Sequence, residues 1–194
     1  MESQGRAKRG ERAVVKLPPS KGNNLQLQCA VSREVGLLHY AKQRGSIRME
    51  VNAEFVDAVY DAAKAHETYQ VYFSEKPVVL VLDNAAVHSQ TENLVRGRDD
   101  LVLLHLAPYS PMCNPIEGCF SVLKAAIKRY LALGHDEMLN VPYGQMGERR
   151  VQLLEKAADS SMKCMDVRLV NKMALYCAHA VAAAKRGEPM KYGR

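Results

Sequence analysis

The sequence lacks any apolar run long enough to cross a membrane and any cysteine pattern that would staple it or bind zinc. About 20 consecutive apolar residues are needed for a membrane helix. The nearest stretch, Met173 to Ala184, is short, rich in alanine and interrupted by His179. The N-terminus has no apolar core of a signal peptide. Five cysteines, Cys29, Cys113, Cys119, Cys164 and Cys177, form an odd set without C-x-x-C spacing. That argues against a disulfide framework and a zinc site, and fits buried thiols in a reducing compartment. Aspartate is absent before Asp57, and the only acidic residues ahead of residue 25 are Glu2 and Glu11. Net positive charge is absent from most of the chain: residues 51–194 carry seventeen Lys/Arg and seventeen Asp/Glu, whereas residues 1–50 carry ten and four. A basic front beside a neutral body points to a polyanionic partner, nucleic acid first, with Lys8, Arg9 and Arg12 as candidate contacts. For residues 1–12 a solvated leader explains the same charge equally well.

What is present reads as one domain. The chain has 194 residues, 47% of them hydrophobic, enough for a core. Residues 1–24 form a basic, irregular segment in which Gly10 to Leu17 has room for a short strand. Leu25 to Val31 alternates apolar and polar, and Gly36 to Ala41 reads as its antiparallel partner across a turn at Ser32–Val35. A helix is expected from an Asn52 cap to about His66, burying Phe55, Val56, Val59, Tyr60 and Ala63. Val78 to Leu82 is unbroken apolar sequence, the pattern of a parallel strand covered on both faces. Leu101 to Leu106 is a second such strand, and the intervening residues have room for a crossover with a short helix within Ser89 to Val95. A helix should run from Asn114 to Leu133 and stop at Gly134, burying Phe120, Leu123, Ile127 and Tyr130. After a loop at 135–146, two helices are expected near 148–158 and 163–186. The order gives an α/β fold: a mixed sheet, antiparallel hairpin then parallel strands, flanked by helices, with a core over 25–133 and a helical C-terminal extension over 134–194.

Two carboxylates stand out. Asp83 ends the first parallel strand, where open α/β sheets bind ligands, although Asp83-Asn84 also suits a turn. Glu117 lies in Asn114-Pro115-Ile116-Glu117, which reads as a helix start with Asn114 as cap and Glu117 closing a capping box. A capping glutamate needs no further role, yet a helix N-terminus is also well placed to present an acid at a sheet edge. Ser121, Lys124 and Lys128 share its face, so one carboxylate and two lysines lie together, as a phosphate-gripping helix or a plain solvated one would have them.

The segments Val79-Leu80-Val81-Leu82-Asp83-Asn84-Ala85-Ala86-Val87-His88 and Leu106-Ala107-Pro108-Tyr109-Ser110-Pro111-Met112-Cys113-Asn114-Pro115-Ile116-Glu117, the latter continued by Phe120 to Lys124, resemble the catalytic core of mariner-type transposases of the DDE superfamily. Thirty-three residues separate Asp83 from Glu117, close to that family's interval. The resemblance covers roughly residues 10–133. It implies a ribonuclease H-like fold and DNA strand cleavage and transfer. Asp83 and Glu117 would be the second and third catalytic carboxylates, binding two Mg²⁺ or Mn²⁺ ions, with Asn84, His88 and Asn114 around them. For His88 a helix-start histidine bonded to backbone serves equally well. DNA is the implied partner, with a homodimer as an option and no membrane. The implied location is the nucleus in a eukaryote and the cytoplasm otherwise.

The resemblance also requires a first Asp on a strand ahead of the hairpin, and Asp57 falls on a helix instead. The expectation is therefore a truncated, inactive copy, with a nucleic-acid-binding remnant as the alternative. A phosphoacceptor Asp83 is less favoured, because Ala85 stands where a phosphatase motif wants a second Asp. A cysteine hydrolase using Cys113 or Cys119 with His88 or His105 has no local signature.

Overall fold

In the computed structural model the described residues are 24–83, 93–108, 110–133, 142 and 144–188. Lys8, Arg9, Arg12, Asn84 and His88, the expected strand within 10–17, most of the helix expected at 89–95, and the expected helix stop at Gly134 lie outside them. Strands β1 (Leu25–Ser32) and β2 (Gly36–Arg44) form the expected antiparallel hairpin, with Cys29 facing Tyr40 and a bulge between Ala30 and Val31. Gly36 closes the turn at φ 85°, a conformation L side chains rarely adopt.

Helix α1 (Met49–Ala65) begins earlier than its sequence pattern implies. Arg48, not Asn52, holds the cap position, without a side-chain cap bond. Asn52 lies inside the helix and is buried, and its Oδ1 accepts a 2.9 Å hydrogen bond from Gln28 Nε2. The reason is the hairpin: the polar side chain has a partner on β1, so burial there costs little. Ala53, Val56 and Val59 line the same buried face. The His39 and Phe55 rings meet at 5.6 Å, seating α1 on β2. A short helix α2 (Glu67–Tyr72), not anticipated, follows a kink at His66, whose Nδ1 accepts from the Thr68 N–H.

Strands β3 (Val78–Leu82) and β4 (Leu101–His105) pair in parallel, Val78 beside Leu101 and Leu82 beside His105. Among the described residues they pair only with each other, so the strands form two separate two-stranded sheets. Here the reading of cover on both faces is corrected. Val79, Val81, Val102 and Leu104 are 42–51% exposed, while the alternating residues are half-buried or buried. Among the described residues, the helices from Pro115 onward pack elsewhere.

They pack on the hairpin. Helices α3 (Pro115–Leu133), α4 (Met146–Ser161) and α5 (Val167–Lys185) enclose a core of Cys119, Leu123, Ala158, Met162, Met165 and Val170. Leu27, Cys29, Val31, Leu37 and Tyr40 of the hairpin close it from the other side. The helices expected near 148–158 and 163–186 are thus found as α4 and α5, and they share one core with the hairpin and α3. Tyr130 is not part of that core, whereas Phe120 and Ile127 pack against it.

Charge reinforces this packing. Lys42 pairs with Asp159 at 2.6 Å, and Arg44 pairs with Glu148 at 3.0 Å and Glu155 at 2.7 Å, so β2 is matched to an acidic stripe on α4. Two cations of the basic front are therefore engaged inside the fold. A second network ties β3 and β4 to α1. Arg98 pairs with Asp57 and, at 3.1 Å, with Asp61, and lies 4.2 Å from the centroid of the Tyr60 ring. Asp100 accepts from the Tyr60 hydroxyl and from Lys64 Nζ, both at 2.6 Å, and its carbonyl accepts the Val78 N–H at 2.7 Å.

Two outcomes follow from these networks. Arg98 and Asp57 side chains are only 14% and 13% exposed, so Arg98→Ala leaves a largely buried carboxylate with only the more distant, exposed Arg96 at 3.7 Å. It should cost on the order of 2–3 kcal/mol, less than a fully buried pair because some solvent remains; an unchanged urea midpoint would refute the clamp. Hydrogen bonds from Lys64, Arg44 and Lys42 hold Asp100, Glu155 and Asp159 below the ordinary carboxylate range. A depressed folded-state value gives stability that is complete above the unfolded value, about 4, and is lost as pH falls through the lower folded values. The urea midpoint should therefore hold from pH 7 to about 5 and decline below about 4. A midpoint that rises on acidification would contradict these pairs.

Candidate functional site

Asp83 directly follows β3 and is exposed. The Leu82 carbonyl still accepts the Leu106 N–H at 2.9 Å, so the ladder holds the backbone up to the residue before the carboxylate. Rigid main chain and a solvated side chain are what a strand-end ligand requires. His105 stands in register with Leu82 at the same carboxyl edge. The sequence reading considered it only as a partner for a nucleophilic cysteine; the signal that finds it here is strand register.

Glu117 occupies the first turn of α3 and is exposed. The capping alternative is now decided by where the backbone donors go. Pro111–Cys113 forms a 3₁₀ turn, and the Asn114 N–H donates to the Pro111 carbonyl at 3.0 Å. The donor that a capping-box glutamate would satisfy is therefore already engaged. Asn114 does cap, through its Oδ1 accepting the Ile116 N–H at 3.3 Å. Glu117 makes no side-chain hydrogen bond or ion pair among the described residues. Its carboxylate is left at the positive end of a 19-residue helix.

Lys124 and Lys128 are exposed on α3 and have no carboxylate partner among the described residues. Counting from Glu117, steps of seven and eleven residues place them along one helix face, opposite buried Cys119 and Leu123. The expected stripe of one acid and two cations is present.

Asp83 and Glu117 are held by different parts of the structure. α3 packs mainly on α4, α5 and the 3₁₀ turns and touches β1, with slight contact at most to β3 and β4. No group of three or more His, Cys, Asp or Glu side chains placed to hold a metal ion occurs among the described residues. The two oxygen donors have the right chemistry for Mg²⁺ or Mn²⁺, but they are not a complete ligand set. They carry no metal-driven step by themselves.

The Cys29 and Cys119 thiols are unsuited to nucleophilic work. Burial first, then neighbouring Cys119 and Cys164, push Cys29 up to about 12, and burial, with Cys164 and Cys177, pushes Cys119 up to about 11. A protonated, buried thiol is inert, which removes Cys119 from the cysteine-hydrolase alternative.

The family comparison decides the assignment. The sequence model described as DDE superfamily endonuclease matches residues 1–139. The chain belongs to the DDE superfamily of endonucleases. That is the superfamily to which Asp83-Asn84 and Asn114-Pro115-Ile116-Glu117 pointed. Among curated proteins nothing matches this chain. Among solved structures the chain is similar to one titled as the Mos1 transposase catalytic domain and raltegravir with Mg, at 17% identity and a TM-score of 0.49, over 88% of this chain and 84% of that one. A likeness at that score adds no weight to the assignment. No helix among the described residues is long and apolar enough to cross a membrane.

Asn114 offers a local test of the turn that presents Glu117. Asn114→Ala removes the oxygen that caps Ile116 and should lower stability by about 1 kcal/mol. A thermal-denaturation midpoint equal to the parent's would show that the cap contributes nothing.

Proposed function

We propose that this chain is the catalytic core of a transposase-type endonuclease whose ancestral reaction is metal-dependent DNA strand cleavage and transfer, and that on its own it binds DNA without cutting it. The observation that carries the reading is Glu117: exposed, relieved of capping, without a side-chain partner among the described residues, and on the face that also carries Lys124 and Lys128. The positive end of the helix accounts for an acid there; its alignment with two cations that have no carboxylate partner among the described residues is what a metal-site acid next to a phosphate-gripping edge would show. Asp83 is its counterpart, placed at the open end of β3.

The absence of cutting rests on donor number. No Asp precedes Asp57, and Asp57 is engaged with Arg98. Two carboxylates leave a paired-ion site short of charge and of ligands. Asp83 and Glu117 would hold the ions from two sides, with Asn84 and His88 near Asp83 orienting the group. The ions, when bound, supply Lewis acidity and an activated oxygen nucleophile. A homodimer and a nuclear or cytoplasmic location belong to this reading. The exposed apolar face of β3 and β4 is one surface through which copies could associate.

The test is a nicking assay on supercoiled DNA with Mg²⁺ or Mn²⁺, paired with binding measured across a salt series. The expected result is no nicking and binding that weakens steeply with salt. Replacing Lys124 and Lys128 together by alanine should reduce the log–log salt slope by about 2. Robust nicking that Asp83→Asn abolishes would overturn the inactive assignment. An unchanged slope would remove α3 from the DNA interface.

A further inference from the structure

The C-terminal helix α5 reaches from the hairpin turn to the turn that bears Glu117. At its start, the Asp166 carboxylate caps the helix by accepting the Leu169 N–H at 2.8 Å, and the Met165 carbonyl accepts the Leu37 N–H at 2.9 Å. Gly36 is tight against it: a Cβ there would stand 2.8 Å from the Val167 nitrogen. Asn171, one turn on, accepts from Arg33 Nε at 3.1 Å and donates to the Arg33 carbonyl at 2.8 Å. Both ends of that first stretch are thus fixed to backbone of the hairpin.

Two residues further, Met173 lies on Gly118, the residue directly after Glu117. A Cβ at Gly118 would overlap the Met173 sulfur and stand 2.9 Å from its Cγ. Glycine inside a helix is unfavourable by about 1 kcal/mol relative to alanine. Its use in the first turn of α3 therefore needs a reason, and the close approach of Met173 provides one. A turn later, Cys177 is raised by burial and then by nearby Cys113, in the 3₁₀ turn that precedes Asn114. α5 packs on that turn as well as on α3. The segment from Cys113 to Gly118 is therefore braced by α5 on both sides of Glu117.

We propose that Met173, seated against Gly118, is a positioning residue for Glu117: it sets the depth and rotation of the first turn of α3 against a helix that the hairpin holds fixed. Met173 touches neither metal nor DNA in this role. A one-methyl change at Gly118 would have to displace the Met173 sulfur or, where the packing around that side chain does not yield, lift α3 from α5 at the point where Glu117 leaves the helix, and metal sites tolerate only about 0.5 Å of such displacement. This inference rests on the reading of Glu117 as a metal-site carboxylate.

The test uses the full chain, with amide hydrogen exchange and Mn²⁺-induced broadening of the amide signals at the start of α3. Gly118→Ala should speed exchange of the amides of Cys119 to Val122 at least tenfold and weaken the broadening at least threefold. Adding Met173→Ala in the same chain makes room for the new methyl and should restore both. Parent-like exchange and broadening in Gly118→Ala, or failure of the double variant to restore them, overturns the proposal. If Gly118→Ala does not fold, Met173→Ala alone decides: faster exchange confined to the first turn supports positioning, and uniform loosening along α3 overturns it. Glu117→Gln keeps the two ideas apart. Broadening unaffected by Glu117→Gln defeats the metal-site reading, while the exchange data still judge the brace.

Discussion

The Arg98 guanidinium, held by Asp57 and Asp61 and stacked on Tyr60, is the interaction on which the placement of β3, β4 and with them Asp83 depends. It is the principal described tie between the β3–β4 pair and the body of the protein, joined by Asp100 with Tyr60 and Lys64. A two-stranded sheet with one apolar face open has little stability of its own. The clamp grips the amino ends of β3 and β4, through Asp100 and the Val78 N–H, and so lies away from the carboxyl ends. Asp83 stands at one of those ends. Position at the site is bought by anchoring the opposite end of the strand.

Glu117 is placed by different physics. Its turn sits on an apolar core of helices and hairpin, where Cys119 and Leu123 are almost fully buried, and the β2–α4 ion pairs lie at the exposed margin of that body. The two candidate carboxylates therefore answer to separate restraints, one mainly ionic and one mainly close-packed. Ionic restraints weaken with acid, while close packing does not. Conditions that loosen the clamp around α1 should disturb the Asp83 edge before they disturb the α3 turn.

The strand edges and the helices were legible because their signals are local. Leu25 to Val31 alternates, Val78 to Leu82 does not, and Asn114-Pro115 marks a helix start. Asp83 and Glu117 were legible through the motifs around them rather than through position, since each also suits a turn or a cap. What the sequence hid is what depends on partners far along the chain. Asn52 looks like a cap until Gln28 is seen to need its oxygen. Asp57 reads as a solvated helix residue until Arg98 arrives from the crossover. Gly118 carried a signal that went unread, because an isolated glycine within a helix marks a close neighbour. The unbroken apolar run at β3 misled for a physical reason: it records which faces a strand is able to bury, not which elements are there to bury them.

That last point links the open face to the donor set. Val79 and Val81 face solvent on β3, and β1 and β3 each have an unpaired edge among the described residues. The transposase resemblance expects one more strand in the sheet, carrying one more carboxylate. On the proposed reading, both deficits therefore have one cause. A single added strand would cover exposed backbone and bring the first acid toward Asp83. On that reading, pairing with another strand at an open edge, rather than repair at one residue, is the route by which such a site would be completed.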